Sequence, residues 1–216
     1  MPEYIDSRTG QSRISNVRCE LVGLNNIQKY CKTNSLPQRF EGEIDATFQQ
    51  KQIMRVDDSS LVNPVNFDDF NFRVTLNNET NLNQNSSPIV RSTLETWNET
   101  KKVFRYITRF SFKHSSLPII ADLSIVKESN RRGPRLIPEY TIQDSGVFDN
   151  REKYEIEMEV DVHRSGFAAN KLADSLRKCA LIVLRGLQES NYPISYPEQK
   201  SILVSYASLF DSSIND

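Results

Sequence analysis

Acidic side chains recur at every second position of one short segment in the last third of the chain. Tyr154–Val162 (YEIEMEVDV) places Glu155, Glu157, Glu159 and Asp161 on one side of an extended strand and apolar residues on the other. Same-face neighbours lie about 7 Å apart, so their repulsion is modest in water and grows in a confined space of lower dielectric constant. A divalent cation or a facing row of Arg and Lys would reverse the sign of this interaction.

Other alternating segments carry cations that could face these acids. The basic candidates are Arg18 in Asn16–Val22, Lys51 in Phe40–Lys51, Arg73 in Phe70–Leu76, and Arg105 and Arg109 in Val103–His114. Guanidinium and ammonium groups neutralise phosphate oxygens through charge-assisted hydrogen bonds. Carboxylates prefer hard cations such as Mg²⁺ or Mn²⁺. The two sets of residues together suit a ligand that combines a chain of phosphates with a divalent metal.

The composition excludes several other kinds of chemistry. The 216 residues carry a net charge of −1, so a protein that coats duplex DNA is excluded. With two histidines and three widely spaced cysteines, the chain has little material for a zinc site, a Ser-His-Asp triad or a disulfide framework, and a reducing compartment is expected. There is no GxGxxG or GxxxxGK[ST] motif, and no apolar run of about 18 residues that would predict a membrane span.

The elements that position these residues predict an α+β domain over residues 1–216. The first 155 or so residues read as strands joined by polar loops, among them Asn77–Ser87 and the basic Ser129–Pro138. The helical part is expected at about residues 170–210. Apolar spacing predicts three helices that cover a sheet, at Pro88–Thr100, Lys171–Leu187 and Glu198–Leu209.

Alternation alone leaves two architectures open. In one, the sheet packs on helices and turns its charges to water. In the other, the strands close into an antiparallel β-barrel whose charged faces point inward and whose apolar faces are covered outside by helices. The second arrangement would form a hydrophilic tunnel lined by acids on one wall and bases on the others. In such a tunnel the bases would hold phosphates and the acids would hold a metal.

Several segments, taken in order, resemble the RNA 5′-triphosphatase module of mRNA capping enzymes, within the triphosphate tunnel metalloenzymes. The resemblance is closest to the capping enzymes of large eukaryotic DNA viruses. The matching segments are SNVRCELVGLNNIQKYCKTNSL, DFNFRVTL, WNETKKVFRYITRFSF, ADLSIVK, YEIEMEVD and RGLQESNYPISYPEQ, which extend from about Ser15 to Tyr206. YEIEMEVD alone is only moderately specific, but in order with FRYITRFSF and DLSIVK it becomes a strong signature.

The resemblance implies a role for each candidate. Glu155, Glu157 and Glu159 match the C-terminal strand that binds Mg²⁺ or Mn²⁺. The remaining roles are implied in the same way: phosphate binding for Arg18, Lys51, Arg73, Arg105 and Arg109, a tunnel acid that organises Arg73 for Glu79, and an acid that orients a basic neighbour for Asp122. Arg105, Arg109, Glu79 and Asp122 would form the catalytic set.

One part of the family pattern has no clean copy. The family has a second acidic strand near its N-terminus that supplies further metal ligands, whereas this chain opens at MPEYIDSRTG, which looks like sequence that follows that strand. Either the chain is a truncated or split module, or Glu41 and Glu43 of FEGEIDATF have taken the role. We favour truncation, which would leave the chain weakly active or inactive by itself.

The resemblance implies removal of the γ-phosphate from the 5′-triphosphate end of nascent mRNA, the first step of capping. A non-catalytic module that binds such ends or supports a guanylyltransferase or methyltransferase is the alternative. A small-molecule triphosphatase or a nucleotide cyclase of the same fold class is a third. The expected location is cytoplasmic, in a viral factory or a virion, without a membrane. No KxDG motif is present, so guanylyl transfer would belong to a partner or a fused domain.

Overall fold

The computed structural model describes residues 1–5, 9–40, 43–57, 60–161 and 169–211. These residues form a mixed α+β structure with antiparallel strand pairs. The chain divides into two compact units. The first contains Met1–Leu61, Asn77–Arg109 and Ser124–Glu155, and the second contains Val62–Leu76, Phe110–Leu123 and Ile156–Asp216.

Four α-helices and one 3-10 helix are present in the described residues. The α-helices are α1 (Leu24–Thr33), α2 (Pro88–Glu95), α3 (Ala169–Gln188) and α4 (Tyr196–Asp211), and the 3-10 helix is Asp68–Phe70. The strands are β1 (Glu3–Ile5), β2 (Ser12–Ile14), β3 (Val17–Glu20), β4 (Gln38–Phe40), β5 (Glu43–Ile44), β6 (Thr47–Ile53), β7 (Arg55–Asp57), β8 (Ser60–Leu61), β9 (Val65–Phe67), β10 (Phe72–Val74), β11 (Asn77–Leu82), β12 (Arg105–Lys113), β13 (Ile119–Glu128), β14 (Arg131–Arg132), β15 (Arg135–Leu136) and β16 (Lys153–Val160).

The strands form two three-stranded sheets and five two-stranded pairs. The larger sheets have the orders β11-β6-β3 and β12-β13-β16. The pairs are β1-β2, β4-β5, β7-β8, β9-β10 and β14-β15. Within the described ranges none of these sheets closes into a barrel. No helix in those ranges is long and apolar enough to cross a lipid bilayer.

The strongly periodic segments form the predicted elements. The strands predicted at Val103–His114, Ile119–Lys127 and Tyr154–Val162 are found as β12, β13 and β16, although residue 162 lies outside the described residues. The helix predicted at Lys171–Leu187 is α3, and its apolar stripe is half-buried. The helix at Pro88–Thr100 is confirmed but ends earlier, at Glu95.

The prediction that the last helix covers a sheet is wrong. The helix is present as α4, but its residues from 201 to 210 are all exposed. Ile202, Leu203, Tyr206 and Leu209 share one side of the helix, as the spacing predicted, but this side is exposed and is not covered by a sheet in the described residues.

The polar loop predicted at Asn77–Ser87 is wrong over its first half. Residues 77–82 form β11 and pair antiparallel with β6 over six positions, from Asn77 opposite Ile53 to Leu82 opposite Phe48. Asn has low strand propensity, but cross-strand hydrogen bonds offset it here, as when Gln49 Nε2 donates to Asn81 Oδ1 at 3.1 Å. The basic loop at Ser129–Pro138 is likewise a hairpin, formed by β14 and β15.

The single strand predicted at Phe40–Lys51 is broken into pieces. Glu43–Ile44 pairs with β4, and the ladder with β11 begins at Phe48. The Gln84 side chain replaces strand partners at the break: its amide nitrogen donates to the carbonyls of Ile44 (2.8 Å) and Ala46 (2.7 Å). Its amide oxygen accepts from the Ile44 N–H at 3.2 Å. The side chain therefore satisfies backbone groups that a continuous sheet would otherwise pair.

The first unit has two apolar clusters. Val17 and Phe48 of the β3–β6–β11 sheet pack with Val90 of α2. A second cluster joins Tyr30 of α1 with Ile142 and Val147. The burial of Val90 and Phe48 explains why α2 begins beside the sheet, since its apolar side covers that face of the strands.

Lys102 is buried between the N-terminal strand segment and the segment around Glu139. Its backbone forms bridges to Pro2 and Glu139. The side chain is 2% exposed, and its Nζ donates to the carbonyls of Trp97 and Thr100, both at 2.5 Å. The ammonium lies 5.0 Å from the centre of the Trp97 ring. Burial lowers the pKa of Lys102 to about 8 because it disfavours the charged form.

We predict that Lys102 makes stability rise with pH in the alkaline range. Between the lowered folded-state pKa, about 8, and the ordinary value of 10.5, the unfolded chain binds more protons than the folded chain. The free energy of unfolding should therefore increase across this window by about 2 kcal/mol relative to Lys102→Met. Urea unfolding at pH 7.5 and 10, followed by Trp97 fluorescence, measures the difference. An equal pH dependence in both proteins would contradict the prediction.

Candidate functional site

Strands β13 and β16 hold buried or half-buried polar residues next to exposed apolar ones, although β13 also buries Ile119 and Val126. On β13, Asp122 and Ser124 are buried, the latter at 1% exposure, while Leu123 between them is 39% exposed. On β16, Glu155 is half-buried and Tyr154 is 72% exposed. A sheet that turns its charges to water shows the opposite order. Part of the face that bears the candidate site residues is therefore withdrawn from water on these two strands.

Arg105 contacts two carboxylates in this region. Its Nη2 donates to Glu155 Oε2 at 2.7 Å, and its Nε lies 3.4 Å from Glu128 Oε1. The structure thus brings together Arg105, predicted to bind phosphate, and Glu155, predicted to bind metal. Because both side chains are half-buried, the pair is less screened by solvent than a surface pair. One carboxylate of the acidic strand is therefore neutralised by an arginine.

Glu128 holds the largest set of ion pairs in the described residues. Its side chain is 11% exposed, and Oε2 accepts from Arg131 Nη2 at 2.7 Å and from Lys153 Nζ. Burial alone would raise the pKa of Glu128, but the hydrogen bonds and charges of Lys153 and Arg131 outweigh it and lower the pKa. The sequence analysis missed this residue because the strand was ended at Lys127. Glu128 continues the alternation of Asp122 and Ser124, which was the available signal.

Arg109 also reaches β13. Its Nε donates to Ser124 Oγ at 3.4 Å. Arg105 and Arg109, four residues apart on β12, thus both contact side chains of the neighbouring strand. Further along, Lys113 Nζ lies 3.7 Å from Asp161 Oδ2, so a third cation of β12 has an acidic neighbour.

A second group of candidates shares the polar face of the β3–β6–β11 sheet. The register places Arg18 opposite Gln49, and Lys51 opposite Glu79. Lys51 Nζ lies 2.6 Å from Glu79 Oε1. The other face of this sheet carries Val17 and Phe48 of the core. This sheet therefore follows the ordinary pattern, with apolar residues covered and charges half-exposed.

The remaining candidates lie elsewhere or have other partners. Arg73 is exposed in the β9–β10 hairpin of the second unit, opposite Asn66. Glu79, expected to organise Arg73, forms its ion pair with Lys51. On β16, Glu157 is half-buried and Glu159 is exposed.

The residues considered as a replacement acidic strand are only partly described. Glu41 lies outside the described residues. Glu43 is on the short strand β5, and Asp45 Oδ2 accepts from Asn26 Nδ2 at 2.7 Å. Glu43 and Asp45 line a cavity of about 530 Å³ together with Glu20, Arg39 and amide side chains such as Gln49.

Glu155 and Glu157 are the more buried of the three glutamates that were predicted to bind metal. They are half-buried and occupy successive same-face positions of β16. In the described part of the chain no group of three or more metal-ligating side chains is close enough to hold an ion.

Comparison with protein-family models, curated proteins and solved structures finds no match to this chain.

We predict that Glu128→Gln destabilises the first unit at neutral pH. Removing the charge leaves Arg105, Arg131 and Lys153 without the carboxylate that they share, at a cost of about 2 kcal/mol. Because the pKa of Glu128 is lowered on folding, its contribution is present above its ordinary value of 4.5 and is lost as the pH falls below it. Urea unfolding at pH 7 and pH 3.5, followed by Trp97 fluorescence, tests this. A difference between the two proteins that stays constant with pH would refute it.

A charge exchange tests the Lys51–Glu79 pair. Lys51→Glu alone places two acids at directly opposed positions and should lower the free energy of unfolding by about 1 kcal/mol. Lys51→Glu combined with Glu79→Lys restores opposite charges and should recover most of that loss. Urea unfolding of the two variants and the unchanged chain gives the comparison. If the double variant is no more stable than the single one, the pair does not contribute.

Proposed function

We propose that this chain is a metal-dependent polynucleotide 5′-triphosphatase that removes the γ-phosphate from nascent mRNA ends. The observation that carries the proposal is the contact between Arg105 and Glu155, whose side chains are both half-buried. An arginine beside a half-buried carboxylate places a phosphate-binding group next to a potential metal ligand.

The basic residues supply the phosphate contacts in this proposal. Arg105 and Arg109 lie four residues apart on β12, and each contacts a side chain of β13. A guanidinium offers several N–H groups in a planar fork, so each arginine can keep a protein contact and bind a phosphate oxygen. Ser124 and Glu128 would hold the two arginines in place before the substrate arrives, which lowers the cost of binding.

The acidic residues supply the metal ligands. Glu155 and Glu157 would hold Mg²⁺ or Mn²⁺ together with substrate oxygens, and Glu159 is the third acid of the strand. The ion, when bound, polarises the terminal phosphoryl group. Glu155 would be one ligand of the ion, and the neighbouring Arg105 would bind a phosphate oxygen. In the absence of substrate, the Arg105–Glu155 ion pair thus gives each of the two charged groups a partner.

The finer architecture is part of this proposal. We infer that the two three-stranded sheets form walls of a hydrophilic tunnel, with Arg18, Lys51 and Glu79 on one and Arg105, Arg109 and Asp122 on the other. Arg73 would complete the phosphate-binding set. A guanylyltransferase or methyltransferase would act on the product, as a partner or a fused domain, at the cytoplasmic viral factory or in the virion.

A binding module without catalysis is the second candidate. Glu155 already accepts a 2.7 Å hydrogen bond from Arg105, and this contact competes with a metal for the same oxygen. A chain in which that pair stays closed would still offer Arg109 and Lys51 to a triphosphate end. Such a module would hold RNA ends for an associated capping enzyme.

Phosphate release separates the two candidates. The full chain is incubated with Mg²⁺ or Mn²⁺ and RNA that carries a labelled γ-phosphate, and in parallel with labelled ATP. We predict release from RNA and at least a tenfold loss in Glu157→Ala and in Arg109→Ala. Release from ATP but not from RNA would favour a small-molecule triphosphatase.

Matched controls come from helix α2. Arg91→Ala and Glu95→Ala remove an exposed arginine and an exposed glutamate of the first unit, which also contains Arg109. Both variants should release phosphate at the unchanged rate. If no protein releases phosphate but triphosphate RNA still binds, and binds more weakly in Arg109→Ala, the binding module is the correct function. Equal release by all variants would refute both candidates.

A further inference from the structure

The β14–β15 hairpin displays two arginines that oppose each other. The register pairs Arg132 directly with Arg135, and both residues are exposed. Like charges at opposed positions of an antiparallel pair destabilise it. Within the described ranges neither arginine forms an ion pair with an acid, so the repulsion is not offset inside this part of the protein.

The base of the hairpin is held firmly in spite of that repulsion. Arg131 Nη1 donates to the Pro134 carbonyl at 2.9 Å, and Nη2 donates to Glu128 Oε2 at 2.7 Å. The Ile137 N–H donates to the Asn130 carbonyl at 2.7 Å, and the Asn150 amide donates to Asn130 Oδ1 at 3.0 Å. The two free guanidinium groups are therefore presented on a fixed support.

The turn between the two strands has its own requirement. Gly133 has a φ of 61°, a conformation that side chains rarely adopt, and it lies between the two opposed arginines in the sequence RRGPR. A tight turn keeps Arg132 and Arg135 close together, where a longer loop would let them separate. The geometry thus concentrates positive charge at an exposed tip, in a chain whose net charge is −1.

A polyanion is the ligand that this tip would favour. Two guanidinium groups in fixed proximity bind a ligand that presents several negative oxygens, and planar forks match phosphate oxygens. The residues of the tip are exposed, so a long phosphate backbone could pass over them. Binding of a phosphate would also relieve the repulsion between the arginines.

The hairpin is connected to the proposed phosphate site through one residue. Glu128 contacts Arg131 at the hairpin base and Arg105 on β12. Arg131 and Arg105 both belong to the first unit. The exposed Arg132 directly follows Arg131, so the tip begins one residue away from the contacts that hold Arg105. An RNA whose 5′ end lies at Arg105 could therefore continue along the hairpin.

We propose that Arg132 and Arg135 bind the phosphate backbone of RNA downstream of the 5′ end. The choice of RNA as the polyanion rests on the proposed function, whereas the binding surface is derived from the hairpin. The contact would give the chain a preference for RNA over free nucleoside triphosphates, which have no downstream phosphates.

Binding of 5′-hydroxyl RNA tests the hairpin separately from catalysis. A fluorescein-labelled single-stranded RNA of 12 nucleotides has no triphosphate, so its affinity does not depend on phosphate removal. Fluorescence anisotropy is measured with the full chain and with Arg132→Gln/Arg135→Gln at several salt concentrations. We expect a five- to thirtyfold weaker Kd, and a slope of log K against log salt that is smaller by about 1.4, or 0.7 for each lost phosphate contact.

Two control variants define the interpretation. Lys29→Gln/Arg91→Gln removes two exposed cations from α1 and α2 of the same unit and should leave Kd within twofold. Arg132→Lys/Arg135→Lys keeps the charges and should retain most of the binding. An unchanged Kd and salt slope in the Gln variant, or an equal loss in the α1/α2 control, would overturn the proposal.

Two further outcomes separate this proposal from others. If the unchanged chain does not bind 5′-hydroxyl RNA, or if the Gln variant loses binding only to vesicles that contain phosphatidylserine, the hairpin is not an RNA surface. If the Gln variant loses RNA binding while no protein releases phosphate, the hairpin proposal stands and the triphosphatase proposal fails.

Discussion

The burial of one carboxylate among three cations constrains the first unit more than any other contact. Glu128 is 11% exposed, and its partners Arg105, Arg131 and Lys153 come from β12, β14 and β16. Removing water from a charge costs several kcal/mol unless partners compensate, so the strands must stay where all three partners reach. Glu128 thereby sets the spacing between strand β12, the β14–β15 hairpin and strand β16, which bears the candidate metal ligands. The same requirement fixes Arg105 beside Glu155.

The two large sheets treat their polar faces differently. In β3–β6–β11 the apolar face packs on α2, and the face with Arg18, Lys51 and Glu79 is the more exposed one. In β13 the polar residues Asp122 and Ser124 are buried together with the apolar residues Ile119 and Val126. The first sheet therefore has the arrangement in which a sheet packs on helices and turns its charges to water, and within the described residues neither sheet closes into a barrel. Burying polar side chains costs free energy unless they have partners. The buried polar residues of the second sheet are therefore the stronger support for the proposed site.

Local periodicity explains which parts of the structure were predictable. β12, β13, β16 and α3 were predicted because long runs of one period leave little freedom in secondary structure. The Arg105–Glu155 contact agrees with the same pattern, because the basic residues of other strands were expected to face the acidic residues of β16. β11 was missed because its Asn and Thr residues gain stability only from the Gln side chains of β6. Glu128 was missed because its role depends on partners from three distant segments. A closed tunnel depends on long-range strand pairing, which no local pattern encodes.

The ammonium of Lys102 lies over the ring of Trp97, so the fluorescence of this tryptophan reports on the charge of Lys102. Trp97 is the only tryptophan of the chain, and it also meets the edge of Tyr30 at 6.3 Å between ring centres. Indole emission responds to a nearby charge, so the emission wavelength of Trp97 depends on the ionisation state of the Lys102 amine. It reports on the first unit alone, because the second contains no indole. Trp97 lies outside the unit that contains α3 and α4, so the loss of these two helices is better followed by far-ultraviolet circular dichroism.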